Sequence, residues 1–273
     1  MTMNIQGVDI QIEGNGPETL VMLQGWPDTL ALWNDTVLAF KETHTCVRFT
    51  LPAFDAKAPV PPKSLLEMVA FIHEVVQQVS PHKPVTLVLH DWGCIFGYEY
   101  AATYPERVGR MVAVDVGDHN SRALYASWTA KAKWGVFSYQ IWLALAWQIA
   151  QIFGAAGRPL ANRMTRYMAK ALRCPSPAAD MHAGMNSPYA MKWMWALEGF
   201  EGSANVLKIL PTARPMLYIY GKRKPFMFHS DRWLEKIASY PGSRVEGFDT
   251  GHWVMSNKPE AFNALLKEWL GQT

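Results

Sequence analysis

An aspartate stands where its side chain could attack a bound substrate. Residues 85 to 89 form an apolar run short enough to be a buried strand, and HDWG at 90 to 93 then turns the chain into a helix that starts near Cys94. Such a turn lifts one side chain, here Asp91, above the sheet and places the next backbone N–H beside it. A carboxylate needs no base to displace a leaving group from sp³ carbon and form an alkyl ester. The chemistry indicated is cleavage of a C–O or C–halogen bond.

Strands and helices alternate along most of the chain and must position this aspartate. The alternation predicts a mostly parallel sheet flanked by helices, with chemistry at the carboxyl ends of the strands. From residue 118 to about residue 203 it stops, and a helical pattern rich in Trp, Met and Ala predicts a cap inserted over the site. Strands are expected at 19–23, 45–50, 85–89, 108–115 and 216–220, and helices at 65–79, 97–104 and 259–270.

Length and cysteine content restrict the class of protein. A chain of 273 residues with 49% hydrophobic content fits one catalytic domain with an insertion and excludes two independent enzymes. The cysteines Cys46, Cys94 and Cys174 form neither a CxxC pair nor an even set, which argues against a disulfide scaffold or a zinc site. The first residues lack a basic stretch followed by an apolar one, so we expect no signal peptide. Free thiols and a cytoplasmic location are therefore expected.

Four motifs resemble those of α/β-hydrolases of the epoxide hydrolase and haloalkane dehalogenase group. They occur in the group's order: QGWPD at 24–28, HDWG at 90–93, YPERVGRMVAVDV at 104–116 and TGHW at 250–253. HDWG after a strand is a specific signal, whereas each of the others alone is weak. The resemblance implies an α/β-hydrolase fold whose core domain comprises residues 1–118 and 204–273 and whose helical cap comprises residues 119–203. Leu89 and Cys94 stand where the group usually keeps small residues.

An alkyl ester on Asp91 must be cleared by water, which requires a base and an acid that orients it. TGHW lies in the loop before the last helix, where this fold delivers its base, so His252 is the predicted base. Many relatives keep the acid in a later G-x-x-D loop, but this chain has Lys224 there. In the group's other arrangement the acid follows the next strand after the helix that begins at HDWG. The distance of Asp115 from Asp91 along the chain resembles the spacing in those relatives. Asp115 is therefore the predicted acid, with Asp118 as the alternative.

Two further sets of residues follow from the resemblance. The backbone N–H of Trp26 can join that of Trp92 in an oxyanion hole for the tetrahedral intermediate. Epoxide hydrolases protonate the departing ring oxygen with two cap tyrosines. VFSYQIW at 136–142 resembles the segment that carries the first, matched by Tyr139, and Tyr189 in NSPYAMKW looks like the second. Each tyrosine could instead be only a core aromatic residue.

A halide leaving group would need different partners. It requires two N–H donors. In the group these are normally the tryptophan of the HDWG motif and either an asparagine in the loop that here reads QGWPD or a tryptophan of the cap. Trp92 is present, but QGWPD contains no asparagine. Trp142 and Trp195 in the cap could substitute, so haloalkane dehalogenation stays as the alternative.

The predicted cap also restricts the substrate. Six of the 12 tryptophans lie in it, which favours an apolar or aromatic molecule and makes Trp142, Trp195 and Trp253 candidate pocket residues. Residues 135–157 carry no charge and are long enough to span a bilayer, but their glutamines favour a buried or surface-lying helix. Nine Lys and Arg from Arg122 to Lys192 face only Asp180 and Glu198 as acids. This charge could steer acidic substrates or an anionic membrane toward the cap, although a solvated helical face is the commoner reason.

The sequence therefore favours a hydrolase that opens an epoxide to a diol through an ester on Asp91, cleared by water that His252 activates. We expect a small organic substrate, no nucleic acid partner, and neither a metal nor an organic cofactor. Peripheral membrane contact through the basic cap is the less favoured interpretation. The nearest alternative is a haloalkane dehalogenase with the same aspartate and histidine. A non-catalytic binding protein is the third hypothesis, because Gln24, Leu89 and Lys224 depart from the group's pattern.

Overall fold

An eight-stranded sheet forms the centre of the protein in a computed structural model that describes residues 1–57, 60–198 and 214–272. The strand order is β1-β2-β4-β3-β5-β6-β7-β8. The pairs β1–β2 and β2–β4 are antiparallel, and every other neighbouring pair is parallel. The strands are β1 (Thr2–Ile5), β2 (Val8–Glu13), β3 (Thr19–Leu23), β4 (Thr45–Phe49), β5 (Val85–His90), β6 (Val108–Val114), β7 (Met216–Gly221) and β8 (Arg244–Phe248).

Helices cover both faces of this sheet. Successive residues of a strand point to opposite faces, and on β3 Val21 belongs to one buried apolar cluster while Leu20 and Met22 belong to another. The first cluster includes side chains of α2 and α3, and the second includes side chains of α1 and α9. The helices are α1 (Asn34–Phe40), α2 (Leu65–Val79), α3 (Trp92–Thr103), α4 (Arg122–Ser127), α5 (Ala130–Ala171), α6 (Ser187–Glu198), α7 (Asp231–Ala238), α8 (Val254–Asn257) and α9 (Pro259–Gln272).

A helical insertion separates β6 from β7. It contains α4, α5 and α6, and residues 199–213 lie outside the described ranges. The long helix α5 bends at Gly154, whose backbone is non-helical with φ 53° and ψ −128°. Positive φ is accessible to glycine at little cost, which allows the sharp bend. The fold is thus the α/β-hydrolase fold that the motifs predicted, whereas the domain limits at residues 118, 119, 203 and 204 stay predictions.

The local predictions agree with the structure where an element is long and apolar. The strand expected at 19–23 and the helix expected at 65–79 have the predicted limits, and Ser64 and Glu67 form a capping box that fixes the start of α2. The N-terminal segment forms two antiparallel strands, β1 and β2, joined at Gln6 and Gly7. β8 was not predicted, because its residues are all half-buried and include charged side chains.

One departure from the group's pattern has a local packing reason. Leu89 on β5 is fully buried, and its Cδ2 atom lies 2.4 Å from where a Cβ atom on Gly97 of α3 would stand. Leu89 therefore fits beside the sheet because Gly97, the helix residue that faces it, has no side chain.

This complementarity predicts a stability effect. Gly97→Ala should lower the free energy of unfolding by about 1–3 kcal/mol, because the new methyl group overlaps Leu89 in a filled core. In the Leu89→Ala background the same substitution should cost much less. Denaturant unfolding of the four proteins of this double-mutant cycle measures the coupling. Equal costs in both backgrounds would contradict the packing explanation.

Candidate active site

Asp91 lies at the tip of a strained turn between β5 and α3. Its φ of 53° is in the left-handed region, which is unfavourable for a residue other than glycine. Two glycines let neighbouring backbone approach this turn. A Cβ atom on Gly93 would lie 2.1 Å from the carbonyl oxygen of Leu23, and one on Gly25 would lie 2.3 Å from Oδ1 of Asp91. The surrounding chain therefore holds the carboxylate in a fixed position at the carboxyl end of the sheet.

Two backbone N–H groups hydrogen-bond this carboxylate. The N–H of Trp26 donates to Oδ1 of Asp91 at 2.7 Å, and the N–H of Trp92 also hydrogen-bonds the carboxylate. Gln24 stands where relatives usually keep a histidine, and its side-chain amide donates to the carbonyl of Phe49 at 2.9 Å. That bond ties the Trp26 loop to β4. Glutamine in place of histidine at residue 24 therefore does not separate the two backbone N–H groups that are predicted to form the oxyanion hole.

The structure brings His252 and Asp115 to the other oxygen of Asp91. Nε2 of His252 lies 3.4 Å from Oδ2 of Asp91, and its Nδ1 hydrogen-bonds Oδ2 of Asp115. Asp115 follows β6 and also accepts the N–H of Gly221 at 2.9 Å. Asp118 instead accepts hydrogen bonds from Ser121 and from the backbone and side chain of Ser230, which precede α4 and α7. Of the two candidate acids, the geometry favours Asp115 as the partner of His252.

Sequence reasoning missed a role for Lys224. Its Nζ donates to Oδ1 of Asp115, and both side chains are buried. Lys224 occupies the loop in which many relatives carry the acid, so here that loop supplies a cation to an acid that comes from the other strand. The basic residues after Gly221 are visible in the sequence and exclude an acid at that position, but they do not by themselves indicate that one of them pairs with Asp115.

Lys224, Asp115, His252 and Asp91 form a row in which each side chain contacts the next, and their charges determine which of them are protonated. Burial alone would raise the pKa of Asp115, but the neighbouring Lys224 and His252 lower it to about 2. Burial alone would lower the pKa of His252, but the charge of Asp115 and the hydrogen bonds to Asp115 and Asp91 raise it to about 9. Burial opposes ionisation of Asp91 too, yet His252 lowers its pKa. At neutral pH the carboxylate of Asp91 is therefore ionised beside an imidazolium ion.

A second buried carboxyl, Asp28, connects three parts of the site. It accepts the indole N–H of Trp253 at 2.8 Å and the hydroxyl of Ser176 in the insertion, and its Oδ2 lies 3.8 Å from Nδ1 of His90. Burial raises the pKa of Asp28 to about 6. Burial and the charge of His252 lower the pKa of His90 to about 3, so that ring is neutral. The sequence gives no sign of this role for Asp28, because its contacts depend on the tertiary fold.

Two cavities meet at Asp91. The first, which we name the cap cavity, has a volume of about 300 Å³, and the second, the loop cavity, about 740 Å³. Both are lined by Asp91, Tyr139, Tyr189 and Phe228. The cap cavity continues along Trp92, His119, Val136 and Lys192, whereas the loop cavity continues along Trp26, Lys224, His252 and Trp253.

The two predicted tyrosines lie beside the nucleophile. Tyr189 is 3% exposed, and its ring is 5.2 Å from that of Trp92 and 5.9 Å from that of Tyr139, between ring centres. Tyr139 is half-buried, and its hydroxyl accepts the side-chain amide of Gln140 at 3.2 Å. Burial and the charge of Asp91 raise the pKa of both phenols. Both hydroxyls therefore keep their protons at neutral pH and can donate them.

The three tryptophans that were predicted to line the pocket lie in different places. Trp253 lines the loop cavity. Trp142 lines neither cavity, which corrects its assignment as a pocket residue: its indole N–H donates to the carbonyl of Met164 across the bend of α5, and its ring contacts Tyr167. The direction of Trp142 depends on that bend. Trp195 lies on α6, but its side chain is outside the described part of the structure.

The thiols and acids do not form a second type of site. Cys46 and Cys94 are buried and Cys174 is half-buried, and all three are free. Burial raises the pKa of each thiol, which disfavours a reactive thiolate. In the ranges described, no three His, Cys, Asp or Glu side chains converge as metal ligands would.

The fold and this site identify the class of protein. The chain belongs to the α/β-hydrolase fold family, which it matches over residues 18–259. A curated relative from Shewanella oneidensis, a cis-3-alkyl-4-alkyloxetan-2-one decarboxylase, is 32% identical over 112 residues. That match covers 38% of this chain and 34% of the relative, so the chain spans about a third of the length of the relative.

Solved structures of two named activities share the fold. A mutant epoxide hydrolase from Bacillus megaterium, in complex with its diol product, superposes with a TM-score of 0.69 at 22% identity and covers 99% of this chain and 100% of its own. A haloalkane dehalogenase variant from Bradyrhizobium elkanii superposes with a TM-score of 0.68 at 13% identity, covering 100% of this chain and 96% of its own. The chain is therefore an α/β hydrolase whose structural neighbours include both candidate enzyme types.

The charge row predicts how His252 titrates. Asp91→Asn removes a negative charge and a hydrogen-bond acceptor from Nε2, so the pKa of His252 should fall from about 9 toward its ordinary value. Titration of the histidine ring protons by NMR measures the change. Asp118→Asn is the matched control and should leave His252 unchanged. A His252 pKa that does not move in Asp91→Asn would mean that Asp115 alone sets it.

The acid assignment gives a second prediction. Asp115→Asn should lower turnover by about 10³-fold or more, because the imidazolium loses its buried partner and the base loses its orientation. Asp118→Asn should instead lower the melting temperature with little effect on turnover, since Asp118 bonds the starts of two helices. Steady-state kinetics and thermal melting distinguish the two. The reverse ranking would transfer the acid role to Asp118.

Proposed function

We propose that this protein is an epoxide hydrolase that converts an apolar or aromatic epoxide to a diol through a covalent ester on Asp91. The observation that carries the proposal is the placement of Tyr139 and Tyr189 with Asp91 at the junction of the two cavities. Two protonated phenols beside an ionised carboxylate provide a proton donor and a nucleophile at one point, which ring opening of an epoxide requires.

The first step uses the two oxygens of Asp91 differently. Oδ1 is held by the N–H of Trp26, whereas Oδ2 lies beside His252 and attacks a ring carbon. The C–O bond of the ring breaks as the ester bond forms, and a phenol of Tyr139 or Tyr189 donates its proton to the departing oxygen. The hydrogen bonds from the phenols strengthen as charge develops on that oxygen, so they stabilise the transition state more than the ground state.

Esterification of Asp91 also prepares the base for the second step. The ester is neutral, so His252 loses one of the two carboxylates that raise its pKa. The imidazolium then gives up its proton through water to the phenolate that the first step leaves, and neutral Nε2 can take a proton from the attacking water. The hydroxide attacks the ester carbonyl, and the N–H groups of Trp26 and Trp92 stabilise the negative charge on Oδ1. As the C–O bond of the ester breaks, the diol oxygen takes the proton of the new carboxyl group, and Asp91 is again a carboxylate beside an imidazolium ion. Asp115, held by Lys224 and Gly221, keeps the ring oriented throughout.

The tryptophan N–H groups give less support to a dehalogenase. A halide needs two donors, and Trp92 lines the cap cavity beside Asp91. Three other tryptophans near the site use their indole N–H groups elsewhere: Trp26 donates to Asn186 at 2.8 Å, Trp128 to the carbonyl of Met227, and Trp253 to Asp28. Trp193, which lines the cap cavity, keeps an indole N–H without a partner among the described residues and is the remaining candidate for a second halide donor. The two phenols line both cavities together with Asp91, which favours an oxygen leaving group.

The base variant tests the covalent step. His252→Gln should still form the ester but clear it slowly, because no group remains to activate water. Incubation with styrene oxide followed by intact-mass and peptide mass spectrometry should show an adduct on Asp91. Asp91→Ala should give no adduct and no diol. An unmodified His252→Gln protein after incubation with a panel of epoxides, alkyl halides and an oxetan-2-one would favour the non-catalytic hypothesis.

The tyrosines separate the candidate reactions. In the His252→Gln background, Tyr139→Phe and Tyr189→Phe should each slow alkylation by an epoxide by about 10–100-fold, and the double variant should be slower still. Alkylation by an alkyl halide, or by a lactone whose leaving group is a carboxylate, needs no proton and should change little. Single-turnover rates measure the step. Unchanged epoxide alkylation in the double variant would exclude the tyrosines from the mechanism.

A further inference from the structure

An enclosed lysine lies on the same helix face as Tyr189. Lys192 follows Tyr189 by three residues on α6, a spacing that places both side chains on one face, and both line the cap cavity. The mechanism proposed above does not use Lys192. Its stem is surrounded by protein atoms, and part of its surface stays open to the cavity.

This lysine has no counter-ion among the described residues. Among the residues that the structure describes, Asp91 is the only acidic one in the lining of the cap cavity, and none of them contributes a charge interaction to Lys192. Burial lowers the pKa of Lys192 to about 8, with no charged neighbour contributing. The ammonium group is therefore still mostly protonated at pH 7, although it is partly removed from water. An isolated cation in such a place is unfavourable unless an anion joins it.

A second poorly bonded polar group, His119, lies beside it. Both ring nitrogens of His119 are buried, and the contact of its ring with a hydrogen-bonding group among the described residues is a weak one to the backbone of Gly117. Burial and the charge of Lys192 lower the pKa of His119 to about 3, so its ring is neutral and has one N–H to donate. Lys192 and His119 together can offer charged and neutral N–H groups to one ligand.

The rest of the cap cavity lining is mainly apolar. Ile95, Val136, Phe137 and Trp193 line it together with Lys192 and Asp91, and Lys133 and Gln140 are further polar side chains in the lining. A ligand that fits this arrangement has an anionic group at one end and an apolar body that reaches Asp91. A carboxylate matches the donors, because an ammonium ion and a ring N–H can bond its two oxygens.

We propose that Lys192 and His119 form a carboxylate-binding subsite at the end of the cap cavity, so that the preferred substrates are carboxylic acids whose reactive ring lies several carbons from the acid group. The identity of the ring rests on the proposed function, whereas the subsite itself does not. The subsite orients the molecule with its apolar chain along the cap cavity and its ring at Asp91.

Binding of inert ligands tests the subsite without turnover. Isothermal titration calorimetry should give an affinity for octanoate about tenfold or more higher than for octanamide, which has the same length but no charge. Lys192→Met should abolish this difference, while Lys131→Met, which removes an exposed charge elsewhere in the insertion, should keep it. Octylammonium should bind more weakly than octanamide to the unmodified protein. Equal affinities for octanoate and octanamide, or a preference that survives in Lys192→Met, would overturn the proposal.

A kinetic comparison separates this proposal from the proposed function. For 7,8-epoxyoctanoate and its methyl ester, kcat/KM should favour the acid by about tenfold or more in the unmodified protein and in Lys131→Met, but not in Lys192→Met. Octanoate binding with no diol from either epoxide would keep the subsite and overturn the epoxide reaction. Diol formation with no preference for the acid over its methyl ester would keep the epoxide reaction and overturn the subsite. Should Lys192→Met fail to fold, the comparison of octanoate with octanamide on the unmodified protein decides alone.

A different observation concerns the outer surface of α5. Within the described residues, α5 is the one helix whose length and composition would suffice to cross a membrane, but the bend at Gly154 folds it into two arms that contact each other through Trp142, Met164 and Tyr167. No atom lies within 4 Å of where a Cβ atom on Gly154 would stand, so the bend is an open tip. We name this two-armed element the cap hairpin.

The tip of the cap hairpin is apolar and exposed. Ile152 and Phe153, directly before the bend, are 71% and 62% exposed, and Leu145 and Leu160 on the two arms are exposed as well. Burying such side chains away from water is favourable. An exposed apolar cluster of this kind indicates contact with another apolar phase or molecule.

The charge of the cap hairpin indicates which one. α5 carries six Lys and Arg and no Asp or Glu, and Arg158 and Arg163 are exposed just beyond the bend. Exposed apolar side chains flanked by basic ones, with no acids, are typical of segments that insert at the surface of an anionic bilayer. We infer that the tip of the cap hairpin docks on an anionic membrane surface, with Ile152 and Phe153 inserted among the lipid chains.

Vesicle co-sedimentation tests this docking. The full chain should bind vesicles of phosphatidylcholine with 30% phosphatidylglycerol, and binding should fall about tenfold or more at high salt or with pure phosphatidylcholine. Ile152→Ser with Phe153→Ser should remove binding. Leu38→Ser with Leu66→Ser, equally exposed side chains on the core, is the matched control and should keep it. Absence of vesicle binding overturns the inference, and a concentration-dependent dimer that the tip variant abolishes would assign the surface to a second copy of this chain.

Discussion

The chemistry of this site depends on a buried row of charges that alternate in sign. Lys224, Asp115, His252 and Asp91 follow one another, each in contact with the next. Removing Asp115 would leave Lys224 and His252 without the buried carboxylate that they share, so this residue constrains the loops that carry the other members. Asp91 is the end of the row and the one member that both cavities share. A nucleophile that stays ionised inside an apolar pocket is the direct result.

The fold could be predicted from the sequence where the signal is local. Buried parallel strands read as short apolar runs, so β3 and β5 were found, and a capping box with an apolar face marked α2. β8 was missed because an edge strand with half-buried charged residues has no such run. The two arms of α5 could not be distinguished from one helix, because Gly154 alone in a helical pattern does not specify a bend.

The candidate site could be predicted to the same extent. Asp91, Trp92 and His252 stand in motifs that describe a local turn or loop, so their sequence context was sufficient. The choice between Asp115 and Asp118 required the position of a histidine 137 residues further along the chain. The pairing of Lys224 and the buried contacts of Asp28 join distant segments, and no pattern within one segment specifies them. Trp142 was placed wrongly because its direction follows the bend of α5.

The meeting of two unequal cavities at Asp91 has a stereochemical consequence. The loop cavity has more than twice the volume of the cap cavity, so a ring with one large and one small substituent fits them in one orientation better than in the other. In the proposed reaction the phenols of Tyr139 and Tyr189 would fix the side on which the ring oxygen lies, and Asp91 would fix the direction of attack. Three such points define a chiral environment. The two mirror-image forms of such a substrate would then differ in which carbon faces the carboxylate, and the protein would resolve a racemic mixture through the shape of its cavities.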